Sequence, residues 1–171
     1  MMKKISCVIA CMLFLACNVL IAQNKYIGAA KCKMCHMSKG KQYPLWSESS
    51  HAKAFENLKS EAALKIAKEK GIADPSTDVK CLKCHSTASS VDATLIASLT
   101  KEEGVSCETC HGPGSNYKSP TIMKSRDESV SKGLIIPDEK LCVKCHNSES
   151  PTFKGFDFAT YSAKIAHANP K

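Results

Sequence analysis

Cys32-Lys33-Met34-Cys35-His36, Cys81-Leu82-Lys83-Cys84-His85, Cys107-Glu108-Thr109-Cys110-His111 and Cys142-Val143-Lys144-Cys145-His146 repeat one pattern: two cysteines separated by two residues, then histidine at once. The chain has 11 cysteines and 6 histidines in 171 residues. At those frequencies about 0.02 such pentapeptides are expected by chance, against the four present. Two thiols at this spacing add across the vinyl groups of a porphyrin, and the next residue offers an imidazole to its iron, which is how c-type haem is held. A zinc site could use paired C-x-x-C units but needs no histidine after each of them. A disulfide framework leaves the same histidines unexplained. The motifs therefore predict four haem c groups, attached through Cys32, Cys35, Cys81, Cys84, Cys107, Cys110, Cys142 and Cys145, with His36, His85, His111 and His146 as proximal iron ligands.

A six-coordinate haem iron needs a second axial ligand, and only His51 and His167 remain to supply one as histidine. At most two haems are then bis-histidine, and the others take methionine, another ligand, a partner's residue or nothing. Trp46, Ala54, Phe55 and Leu58 suggest an amphipathic helix with His51 near one edge of its apolar face. His167 ends an apparent C-terminal helix. Both are expected distal ligands. Beyond residue 22 the methionines are Met34, Met37 and Met123. The first two are tied to the first motif and read as packing residues, whereas Met123 is a candidate distal ligand that would otherwise fill an apolar gap.

Upstream of the motifs, Lys3 and Lys4 precede an uncharged apolar stretch from Ile5 to Ala22, the pattern of an export signal. Residues 1–22 are expected to be removed, leaving 23–171 as one tetrahaem cytochrome c domain outside the cytoplasm, in the periplasm. An alternative cut before Cys17 would tether the protein to a membrane by lipid. Without Lys3 and Lys4 the formal charge of +8 becomes +6, from 22 Lys+Arg against 16 Asp+Glu. Haem propionates offset by ferric iron would lower this to roughly +2, so the basic balance does not argue for nucleic acid.

The motifs are irregularly spaced, so this is not a tidy repeat. The pattern predicts helices over 45–59, 60–70, 92–101 with Asp92 as N-cap, 138–146 and 157–168, with strand patterns nearly absent. The fold class is mainly α, a small multihaem cytochrome c fold of short helices and loops packed around four covalently bound haems. Porphyrin faces would supply apolar bulk that a chain with one Trp otherwise lacks. Gly112-Pro113-Gly114-Ser115-Asn116 is expected to reverse the chain tightly past a haem edge. The lysine-rich segment 59–70 reads first as a solvated helix face and second as a docking surface for an acidic partner.

Tyr26-Ile27-Gly28, His51-Ala52-Lys53-Ala54 and the block Gly104-Val105-Ser106-Cys107-Glu108-Thr109-Cys110-His111-Gly112-Pro113-Gly114 together resemble the tetrahaem cytochrome c-554 family. The resemblance implies a mainly helical periplasmic protein with haems in closely stacked pairs. It also implies that His51 ligates the fourth-motif haem, that His167 ligates the third-motif haem, and that the second-motif haem has an open distal side. Where the family carries the histidine that serves the first haem, this sequence has Thr121. Met123 replaces that ligand, or the site is open.

The leading function is electron transfer between redox partner proteins, in respiratory or nitrogen-compound chains, with no catalytic residue required. The runner-up is an enzyme or gas-binding protein acting on nitric oxide, hydroxylamine or nitrite at an open iron. Against it, Asp92 and Lys83 read more simply as a helix cap and a surface charge than as an acid or base. A third reading is a haem-bearing docking subunit of a larger respiratory complex.

Overall fold

The computed structural model describes residues 23–38 and 40–167. The expected leader 1–22, with Cys17, and the last residue of the expected 157–168 helix lie outside the described residues. The architecture is helical, and among the described residues the one β contact is an isolated bridge between Tyr26 and Ile96. The α-helices are α1 Ala29–His36, α2 Gln42–Glu48, α3 Ala54–Asn57, α4 Glu61–Glu69, α5 Val79–His85, α6 Thr87–Ser90, α7 Cys107–His111, α8 Pro120–Met123, α9 Arg126–Ser131, α10 Glu139–Cys142 and α11 Phe158–Ile165.

Side-chain caps start most of these helices. Asp78, Ser106 and Asp138 cap α5, α7 and α10 by accepting the backbone N–H of Lys80, Glu108 and Leu141, so three of the four motif helices have a local start signal. Ser60 and Asp157 likewise cap α4 and α11. The first-motif helix, α1, is different. Its N-cap is Gly28 at φ 80°, with no side-chain cap of its own.

Three expected helices are shorter than their patterns. The 45–59 helix is broken between Glu48 and Ala54, so His51 lies in a turn rather than on a helix edge. Ser49 causes the break: its hydroxyl bonds the Trp46 carbonyl at 2.6 Å and accepts the Ala52 N–H at 3.4 Å, giving the backbone a local alternative to the helical ladder. Asp92 does cap a helix, but only the single 3₁₀ turn Ala93–Leu95. Bonds from Tyr26 N–H to the Leu95 carbonyl and from Ala97 N–H to the Tyr26 carbonyl, each 2.8 Å, then draw the chain into the bridge. The fourth-motif helix closes at Cys142, and turns carry the chain to His146.

Side-chain core is sparse. Phe55, Leu58 and Leu82 form the buried cluster, with Cys81 of the second motif packed against it. Leu45, Ile135, Ile136, Val79 and Val143 remain exposed. Met34 and Met37, expected to pack, are instead 80% and 47% exposed. The reason is geometric: Ala29, Cys32 and His36 lie on the inward side of α1, Met34 points away from it, and Met37 lies beyond the helix end.

Candidate functional site

The eight motif cysteines are all free thiols. They are brought together in a definite order. The Cys32 and Cys107 thiols influence each other directly, placing the first motif against the third. The Cys84 and Cys145 thiols do the same, placing the second against the fourth. Cys110 and Cys145 feel each other's charge, so the two pairs of motifs adjoin. Burial pushes the Cys110 thiol up to about 11 and Cys145 up to about 12.

Two histidine pairs stand out. The His51 and His146 rings lie 6.0 Å apart at 75°, and the His111 and His167 rings 5.8 Å apart at 51°. Burial, reinforced by the neighbouring His146 charge, lowers the pKa of His51. His111 is lowered chiefly by burial, with His167 and His36 adding to it, and His167 by burial with His36 adding. All three are thereby kept as neutral imidazoles, the form that binds a metal. Phe156 stacks on His146 with centroids 4.8 Å apart, and Tyr161 of α11 packs beside both.

Proximal histidines are also oriented from behind. His85 Nδ1 lies 2.8 Å from the Ala54 carbonyl and His111 Nδ1 lies 3.2 Å from that of Ile135. A carbonyl can only accept, so each Nδ1 carries the proton and each Nε2 is left bare for a metal, the arrangement expected of a ligating imidazole. His51 is placed through its own backbone. Its carbonyl accepts the Val105 N–H at 2.9 Å, while Trp46 Nε1 donates to the Val105 carbonyl at 2.9 Å. Gly104 permits this approach: at φ 63° it adopts a left-handed conformation, and a Cβ there would sit 2.7 Å from the His51 carbonyl.

Glu108 is the residue the sequence reading missed. It occupies a variable position inside the third motif yet is only 1% exposed. Its carboxylate accepts the N–H groups of Ile27 at 2.9 and 3.0 Å, Gly28 at 2.8 Å and Gly114 at 2.7 Å. Glu103 adds a bond from the Ala29 N–H at 2.7 Å. The uncapped start of α1 is therefore capped from afar by two carboxylates of the third-motif region, which also favours them electrostatically at a helix N-terminus. Burial, with Glu108's charge contributing, raises the pKa of Glu103. Its sequence signal was slight: an acid set between two cysteines, with glycines close behind.

Between the second, third and fourth motifs lies a cavity of about 550 Å³, lined by residues that include Cys84, Cys145, Thr109, Gly112 and Ile135. Free thiols, bare imidazole nitrogens and this cavity together fit a covalently attached porphyrin. Among the described residues no three His, Cys, Asp or Glu side chains converge as a cage for a lone metal ion. Met123 ends α8, and its sulfur accepts the Ser129 hydroxyl at 3.7 Å.

Comparison with known proteins points the same way. The family described as "Cytochrome c554 and c-prime" matches residues 31–112, a span that contains the first three motifs. The chain is 32% identical over 154 residues to cytochrome c-554 of Nitrosomonas europaea, covering 80% of this chain and 64% of that protein. It thus spans just under two thirds of that relative's length. No solved structure matches the chain significantly.

Proposed function

This chain belongs to the cytochrome c-554 family, and on that premise we propose that residues 23–171 form an exported, periplasmic electron carrier with four c-type haems. Residues 1–22 direct export and are removed. Each C-x-x-C-H motif holds one porphyrin by two thioethers and one imidazole. Bound haem iron exchanges single electrons between its ferric and ferrous forms, and the protein sets each potential by ligand, hydrogen bonding and burial.

The observation that carries this reading is the pairing of His51 with His146 and of His111 with His167, at 6.0 and 5.8 Å between ring centroids. Two imidazoles ligating opposite faces of one iron stand about this far apart. The fourth-motif and third-motif haems are accordingly bis-histidine, with His51 and His167 as distal ligands. The thiol contacts that join first to third and second to fourth motifs support two stacked haem pairs. We read Met123, whose sulfur accepts the Ser129 hydroxyl at 3.7 Å, as a packing residue rather than as the distal ligand. Mass spectrometry of the exported protein tests the reading: a mature chain starting at Gln23 with four haem additions is expected, and fewer additions would overturn it.

One observation favours a second activity at the remaining irons. With His51 and His167 committed, no histidine of the six is left to oppose His36 or His85. An iron held by one of these alone would bind a small ligand such as nitric oxide. Adding nitric oxide to the reduced protein should then shift the absorption of these haems and leave the bis-histidine pair unchanged.

A further inference from the structure

We propose that the face built by α1 and α2, around the first motif, is the docking surface for a redox protein that presents an acidic face. This rests on the electron-carrier reading above and names where its partner binds. Charge along the chain is very uneven. From Gln23 to Ser47 there are five lysines, Lys25, Lys31, Lys33, Lys39 and Lys41, and no Asp or Glu, a formal +5. From Glu48 to Lys171 there are 17 Lys+Arg against 16 Asp+Glu, a formal +1. Among the side chains beyond the leader, most of the net positive charge therefore lies in the segment that carries the first motif, just before Glu48.

The structure makes that segment a surface. Lys31 and Lys33 on α1 and Lys41 at the start of α2 are exposed, and α1 packs against α2. The Lys33 ammonium lies 5.4 Å from the centre of the Tyr43 ring, which ties the two helices together. Among the lysines are exposed apolar side chains: Met34 at 80%, Leu45 at 52% and Met37 at 47%. Glu48 at the C-terminal end of α2 is an exposed carboxylate bordering this face, against exposed Lys31, Lys33 and Lys41, while Glu103 and Glu108 are turned inward onto the backbone at the start of α1. An apolar centre bordered mainly by positive charge suits a transient redox encounter, in which charge steers approach and the apolar contact fixes the dock.

Position favours a protein over a lipid surface. Cys35 is the one exposed cysteine of the eight in the motifs, so the thioether it forms lies within the patch and brings a haem edge to it. By contrast, α4 carries exposed Lys65 and Lys68 interspersed with Glu61 and Glu69 and has no motif of its own.

Lysine footprinting of the haem-loaded protein tests the assignment, with a flavodoxin as the acidic redox probe and phosphatidylglycerol vesicles as the alternative. Haem content is first fixed by mass, so failure of the cytochrome reading is separated from failure of this one. At low ionic strength the flavodoxin should slow acetylation of Lys31, Lys33 and Lys41 by roughly threefold or more and leave Lys65 and Lys68 unchanged. The K31E/K33E/K41E variant should bind the probe about tenfold more weakly, while the corresponding arginine variant binds normally. An unchanged haem spectrum in both variants shows that each is folded. Protection confined to Lys65 and Lys68, protection by vesicles but not by flavodoxin, no protection, or unweakened binding by the glutamate variant would each overturn the proposal.

Discussion

The third and fourth motifs and the first and second are built from the same five-residue pattern, yet their surroundings differ. His111 and His146 each face another histidine, supplied from far along the chain by His167 and His51. His36 and His85 have no histidine left to face. What separates the two groups is long-range placement rather than local sequence. The first motif is the extreme case, since even the start of its helix is capped by Glu103 and Glu108. An attachment motif thus fixes how a haem is tethered, and the fold decides what that haem does.

Ligand removal should affect this contrast most. His51→Ala and His167→Ala are each expected to convert one low-spin haem to high spin and shift its potential by on the order of 0.1 V, within the ~0.8 V range that axial ligands span. Low-temperature paramagnetic resonance with a redox titration checks both, and an unchanged spectrum would remove the corresponding pair. The Glu108→Ala variant comes next. Leaving three buried N–H groups without an acceptor is expected to cost about 3–5 kcal/mol. Loss of the local cap in Asp78→Ala should cost only about 1 kcal/mol. Denaturant unfolding of the two variants compares the distant cap with the local one.

Smaller effects sharpen the comparison further. Met123→Ala should leave all four haem spectra unaltered and cost about 1–2 kcal/mol as a half-buried packing residue. A change in the spectrum of the first-motif haem would instead make this sulfur its ligand. Glu103 has its pKa raised in the folded state by burial. The folded protein therefore holds that proton more tightly than the unfolded chain does. Stability from this group is full below the unfolded carboxyl value, falls as pH rises through the window up to the folded value, and is flat above it. Glu103→Gln keeps an acceptor for Ala29 and should flatten that slope in unfolding curves taken from pH 4 to pH 7. Least affected should be Lys83→Ala, because the Lys83–Glu149 ion pair linking the second and fourth motifs is exposed on both sides.

Much of this was legible in the sequence because it is written locally. The thiol spacing and trailing histidines, the helical class, the helix starts near Ser60 and Asp157 and the cap at Asp92 all lie within a few residues of what they control. The break after Glu48 was hidden because Ser49 and Ser50 are also tolerated in helices, and only the hydrogen bond from Ser49 to Trp46 tips the backbone away. Glu108 was hidden for another reason: the N–H groups it accepts at Ile27 and Gly28 lie about 80 residues earlier, where no periodicity could point to them. Met34 and Met37 were misjudged because packing was inferred from residue type, whereas Ala29, Cys32 and His36 mark the side of α1 that faces inward.

The central claim is that four identical attachment motifs yield two kinds of haem. Low-temperature paramagnetic resonance of the oxidised, haem-loaded protein, integrated against total iron, tests it most directly. The account predicts bis-histidine low-spin signals for half of the iron, with one lost in His51→Ala and the other in His167→Ala. Bis-histidine signals from all the iron, or from none of it, would contradict it.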